Sequence, residues 1–174
     1  MIRKWKVISA KRAYHSRYMD LYADKVWIPK KNVFTEFMRV KKPDFVMIVA
    51  TDTKNRVIAL KEYRHAVGEI QLLIPAGFIN KRESPLKAAK RELAEETGYT
   101  GGKFSYICSF TSEYSKGYVF RAIGLKDKGE QRLDDNEDIE TSTITITELK
   151  RQIAAGKWRN GSTLAALTLS GILS

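Results

Sequence analysis

The sequence predicts an α/β sandwich, in which helices cover a mixed central sheet and a small antiparallel β extension precedes it. Three observations carry that prediction. Strand-like runs separated by turn residues fill the first third, the nearly unbroken apolar run at 45–50 reads as a buried strand, and helical signals begin only after residue 84. An N-terminal extension over 1–43 and a main domain over 44–174 follow from this division.

In chain order, strands are expected at 4–11, 18–28 and 33–40, with Pro29-Lys30-Lys31-Asn32 as the turn of a meander. The buried strand at 45–50 leads through Asp52-Thr53-Lys54-Asn55 into another at 56–63, and a strand from Ile70 ends in the Pro75-Ala76-Gly77 turn. Ser84 as N-cap, Pro85 at the first helical position and Gly98 as the stop frame a helix over 85–97. Leu86, Ala89 and Leu93 form its expected core stripe, with Ala88 small enough for close packing. Beyond Gly101-Gly102 come strands at 104–111, 118–125 and 141–146. A helix from Thr147 to Gly156 and a second from Ser162 to about residue 172 then cover the sheet, the latter with an apolar stripe of Leu164, Leu167 and Ile172.

At 174 residues the chain can bury a core without staples, and 43% hydrophobic with 29% charged residues is ordinary for a globular protein. The lone Cys108 excludes an internal disulfide framework, and its neighbours Tyr106, Ile107 and Phe110 suit a packed strand residue rather than a nucleophile. The N-terminus lacks the apolar core of a signal peptide, and no run approaches the 18 apolar residues of a membrane span, so a cytoplasmic protein with no membrane partner is expected. The net charge of +11 is concentrated in residues 1–64 and draws anions without choosing among nucleotides, nucleic acid and acidic lipids.

Chemistry concentrates on the helix at 85–97. At about 100° per residue, Glu92 and Glu96 lie some 40° apart and Glu95 about 60° to the other side of Glu92. Three carboxylates on one edge repel one another unless a dense positive charge sits among them, and a hard divalent cation with oxygen ligands meets that need. A solvated acidic face is the ordinary alternative. Here, however, the acids follow a glycine at 77, a glutamate at 83 and an arginine at 91, a combination that arises by chance on the order of once in 10⁹ positions. Arg91 lies one turn before Glu95 and can fix its direction through a charge-assisted pair.

Residues 77–99, GFINKRESPLKAAKRELAEETGY, resemble the Nudix box, with every specified position filled if Tyr99 serves as the final apolar residue. The resemblance implies a Nudix-type α/β/α sandwich and a metal-dependent hydrolase, with Mg²⁺ as cofactor and Mn²⁺ as a second fit. It assigns the main metal contacts to Glu92 and Glu96, a further ligand or water-orienting role to Glu95, a metal-binding carbonyl to Ala76, and a loop-orienting role to Glu83. Leu60-Lys61-Glu62-Tyr63-Arg64-His65 is similar to a segment of the ADP-ribose pyrophosphatase branch, with Glu62 where that branch often has Gln. Arg64 is thereby implied as a diphosphate ligand, which suits a forked guanidinium, whereas His65 is read as structural.

The acidic segment 133–140 resembles that branch's catalytic loop, implying Glu137, and with shorter reach Asp135, as general base or extra metal ligand. Glu113 and Tyr114 are candidate substrate contacts in the loop at 112–117. Two departures bear on the leaving group: Leu73 replaces a glutamate usual before the Pro-Ala-Gly turn, and no proline stands at 109–111. The implied reaction is hydrolysis of a nucleoside diphosphate linked to a second group, first of all ADP-ribose to AMP and ribose 5-phosphate, by a homodimer. NDP-sugars, dinucleoside polyphosphates or capped RNA are alternative substrates. A nucleotide-sensing or nucleic-acid-binding protein without turnover is a further alternative, disfavoured by the intact Arg91-Glu92-Glu95-Glu96 set.

Overall fold

The computed structural model describes residues 2–112 and 114–174 and separates the chain into two compact units, Met1–Asp44 with Thr111–Lys116, and Phe45–Phe110 with Gly117–Ser174. In the first, β1 (Lys6–His15), β2 (Asp20–Ile28) and β3 (Val33–Lys41) form an antiparallel meander in that order. The expected strands at 4–11 and 18–28 are shifted: register irregularities between Val7 and Ser9 and between Arg12 and Tyr14 let β1 run on to His15, where Ser16 makes the turn. Asp24 is buried and receives both a 2.5 Å and a 3.1 Å hydrogen bond from Arg39, whose guanidinium also covers the Tyr22 ring. Both outer strands are largely exposed, and Val7, Ile8, Phe34, Phe37 and Met38 are among their apolar residues open to solvent.

The second unit is built on β4 (Phe45–Asp52) and β5 (Val57–Arg64), followed by β6 (Glu69–Leu73), β7 (Ala76–Phe78), α1 (Pro85–Thr97), β8 (Tyr99–Thr111), β9 (Lys116–Asp127), β10 (Ile139–Ile144), α2 (Ile146–Ala154) and α3 (Gly161–Leu169). Its sheet runs β10-β5-β4-β9-β8, with β6 added to β5 and β7 to β4. It is mixed because β4 and β9 pair in parallel while β10, β6 and β7 join antiparallel neighbours. The apolar run of β4 has a simple cause. Val46, Ile48 and Ala50 pack with Ala88, Ala89 and Leu93 of α1, while Met47 and Val49 pack with Leu149 of α2 and Ala166 and Leu167 of α3. Both faces are covered, giving the α/β/α sandwich.

Several expectations are corrected by packing. Leu86 is exposed at 42%, whereas Ala88 and Ala89 are fully buried, so the helix turns its small residues to β4 and lies close to the sheet. The strand expected from residue 104 begins at Tyr99, because Gly101 and Gly102 take positive φ and bend the strand without ending it. The Pro75-Ala76-Gly77 turn is itself a short strand, with Ala76 opposite Met47, Gly77 opposite Val46, and the Pro75 carbonyl accepting from Ile48 N–H at 2.8 Å. Thr145 and Asn160 cap α2 and α3, so each helix starts one residue before its expected first residue. Cys108 is free and packs against the core on the α2 and α3 side. No described helix is long and apolar enough to cross a membrane.

Candidate metal and diphosphate site

The acidic edge is set by the start, stop and packing of α1. Ser84 caps the helix by accepting from Lys87 N–H, and Gly98 ends it in the left-handed region at φ 73°. With Ala88, Ala89 and Leu93 fixed against β4, Glu92, Glu95 and Glu96 lie along the flank nearest β7. Gly77 explains how close that flank comes: a Cβ there would lie 2.0 Å from the Glu92 carboxyl carbon, so the Glu92 carboxylate sits directly over the glycine backbone. Beside it, Ala76 N–H donates to Glu96 at 3.0 Å.

Arg91 is the hub of the upstream half. Its guanidinium donates to both oxygens of Glu83 at 3.0 and 2.9 Å, to Glu92 at 2.8 Å, to Glu95 at 3.0 Å and to the Phe78 carbonyl at 2.9 Å. Glu83 also accepts from Asn80 N–H at 3.0 Å, which closes the loop before the helix. Through these bonds Arg91 lowers the Glu83 pKa below the usual carboxylate range.

Glu96 is the opposite case. It is only 6% exposed, and Ala76 N–H is its carboxylate's hydrogen-bond donor. Burial drives its pKa well above the ordinary value; the Ala76 bond opposes this, and the negative charges of Glu92, Glu137 and Glu62 add to it. Glu92 is raised as well, by burial first, with Arg91 opposing and Glu95 and Glu137 contributing. Such a set fits a divalent cation, since carboxylates are hard oxygen donors and the buried Glu96 has no cationic partner among the described residues. The fit is not a finished cage. Among the described residues no three acids converge at ligand spacing, and Glu92 and Glu95 are both turned to Arg91.

The remaining candidates fall into place unevenly. Glu137 is half-buried and its charge is felt by both Glu92 and Glu96, although 41 or more positions separate it from them in the chain. Asp135 is exposed on the same segment, and no contact ties it to the acidic edge among the described residues. Arg64 ends β5 and donates from Nη1 to both oxygens of Glu62 at 3.0 Å. Glu113 lies outside the described residues, and Tyr114 belongs to the other unit. His65 is exposed.

Two participants escaped the sequence reading. Glu62, with its side chain 17% exposed, partners Arg64 and adds to the field on Glu96; an acid two residues before the expected diphosphate ligand was the available signal. Gln131 carries no such signal, because two of the three atoms it touches are backbone carbonyls of distant elements. Its side-chain nitrogen lies 2.6 Å from the Glu96 carbonyl, 3.2 Å from the Ile139 carbonyl and 3.0 Å from Thr141 Oγ1.

An α/β/α sandwich presenting a buried acidic helix edge beside a Pro-Ala-Gly strand defines a class, and the NUDIX domain matches residues 41–167: the chain belongs to the Nudix family and is a pyrophosphohydrolase of that class. Among its relatives, an ADP-ribose pyrophosphatase of Bacillus subtilis (strain 168) is 30% identical over 169 residues, covering 93% of this chain and 90% of that protein. A methanol dehydrogenase activator of Bacillus methanolicus is 27% identical over 168 residues, with the same shares covered. The crystal structure of an ADP compounds hydrolase shares the fold with a TM-score of 0.84 at 20% identity, covering 98% of this chain and 94% of that one.

Proposed function

We propose that this chain hydrolyses the pyrophosphate bond of ADP-ribose to AMP and ribose 5-phosphate, with Mg²⁺ as cofactor and Mn²⁺ as a substitute. The observation that carries the reading is Glu96, a buried carboxylate on the acidic edge with no cationic partner among the described residues. Glu92, Glu96, Glu95 and the Ala76 carbonyl are the proposed metal ligands, all hard oxygen donors. A bound divalent ion would neutralise the developing charge on the phosphate oxygens and lower the pKa of water.

Arg64 exchanges Glu62 for the diphosphate, which its planar fork grips through two oxygens. Glu137 takes the proton of the attacking water as a bond forms to one phosphorus and the bridging oxygen leaves with the other phosphate. Arg91 holds Glu92 and Glu95 in place through one oxygen each and releases them to the metal when it binds. Asp135 is a reserve acid on the same loop. The relative named ADP-ribose pyrophosphatase supports the choice of substrate.

A second substrate class, NDP-sugars, dinucleoside polyphosphates or capped RNA, is favoured by the missing proline at 109–111 and the basic N-terminal third, and Leu73 adds a structural feature to these. Leu73 is packed with Leu60 and Ile139, so an apolar contact stands where the resembled branch usually carries an acid. We place the enzyme in the cytoplasm as a homodimer that pairs through the exposed apolar residues of the extension at 1–43, with residues 44–174 as its catalytic domain. Product release from a panel of these substrates with Mg²⁺ tests the reading. ADP-ribose should turn over fastest, and wild-type rates in Glu96→Gln would overturn the mechanism.

A further inference from the structure

The segment that carries Glu137 is fastened to the carboxyl end of α1. The last four carbonyls of a helix have no partner within it. Here the Glu95 carbonyl receives Arg132 N–H at 2.8 Å, and the carbonyl of the capping Gly98, just past the helix, receives Lys128 N–H at 3.0 Å. The Glu96 carbonyl receives two side chains, Gln131 Nε2 at 2.6 Å and Thr141 Oγ1 at 3.1 Å. Gly98 allows the approach, since a Cβ there would come within 3.1 Å of the Glu130 backbone.

Gln131 is the centre of this clasp. Its nitrogen also reaches the Ile139 carbonyl and Thr141 Oγ1, so one amide joins the helix that carries the acidic edge to the strand that follows Glu137. Carbonyl oxygens only accept, so the amide can be oriented in one way only, with its NH₂ toward them. Beyond the clasp, Leu133 packs on Leu60, Leu73 and Ile139, and Asp134 N–H donates to Glu137 Oε2 at 3.0 Å. The segment is thus held on both sides of Glu137.

We propose that Gln131 is a positioning residue for the hydrolytic step, holding the 128–138 segment against the carboxyl end of α1 so that Glu137 faces Glu92 and Glu96. The proposal rests on the reading of Glu137 as base. It assigns Gln131 no contact with substrate or metal, and Thr141 is the second arm of the same clasp.

The test uses the full chain with Gln131→Leu, which keeps the size and removes the donor, and Thr141→Val as a second variant should Gln131→Leu fail to fold. Without substrate or metal, Gln131→Leu should speed hydrogen exchange at the Arg132 amide about tenfold or more, and Thr141→Val should act in the same direction. With ADP-ribose and Mg²⁺, Gln131→Leu should lower kcat about tenfold, the size expected for losing one or two neutral hydrogen bonds, while KM stays within about twofold. In a Glu137→Gln background, adding Gln131→Leu should change kcat no further. Unchanged exchange at Arg132 overturns the clasp whatever the substrate proves to be. Independent, multiplying effects of the two substitutions overturn the positioning role alone, and a wild-type kcat in Glu137→Gln overturns the base assignment together with it.

Discussion

Gly77 and Arg91 show how single residues shape the acidic edge from opposite directions. At Gly77 the constraint is space: in Gly77→Ala the methyl and the Glu92 carboxylate cannot share one place, and moving that carboxylate away from the edge should lower kcat at least about tenfold. A thermal melt should show little change, because the clashing atoms are the far end of a flexible side chain that can swing away. At Arg91 the constraint is charge. Arg91→Ala strands Glu83, whose side chain is 8% exposed, and because Arg91 itself keeps 27% exposure the cost should fall at the lower end of the range for broken buried pairs, about 3 kcal/mol in denaturant titration. Arg91→Lys should recover part of that stability without restoring the five-bond hub, since an ammonium lacks the fork.

For α1 as an element, its caps and its charges make separable contributions. Ser84→Ala removes the acceptor for Lys87 N–H and should cost about 1 kcal/mol while leaving kcat of the folded protein unchanged, because the cap lies at the end remote from Glu92, Glu95 and Glu96. The acids should give the metal-free protein a pH signature. Glu96 has a folded-state pKa raised above its unfolded value, so its contribution to stability is present below the ordinary glutamate pKa and is lost as pH rises through the raised one. Glu83 runs the other way, contributing above the ordinary value and losing that contribution as pH falls through its lowered pKa. Metal-free Glu96→Gln should therefore melt higher than wild type near pH 8, with the gap closing toward about pH 4.5. A wild type that melts as high as the variant at the upper pH would contradict the burial argument. Saturating Mg²⁺ should reverse the order at high pH, because only the carboxylate gains from the ion.

At the scale of the molecule, each unit raises a different question. The catalytic sandwich covers its sheet on both faces, whereas β3 of the extension exposes Phe34, Phe37 and Met38. An exposed sheet of that kind is ordinarily covered by a partner. Light scattering should give the mass of a dimer for wild type and of a monomer for Phe34→Glu with Met38→Glu, and a monomeric wild type would refute the proposed pairing.

What the sequence determined by itself was mostly local. The helix at 85–97 has the observed bounds because Ser84, Pro85 and Gly98 act within a few residues of themselves, and Glu92, Glu95 and Glu96 share an edge because helical periodicity requires it. The buried strand at 45–50 was legible because a strand covered on both sides needs apolar residues throughout. What only the tertiary structure decided depends on contacts between distant segments: Ala88 rather than Leu86 facing β4, Glu62 adding its charge to Glu96, and Gln131 reaching the Glu96 carbonyl. A backbone carbonyl carries no residue identity, so a side chain that binds one leaves no pairing pattern to read. The acids of α1 are thus written in the spacing of the chain, whereas the surroundings that make Glu96 a buried carboxyl of raised pKa exist only once β5, β7 and the 128–138 segment have closed around it.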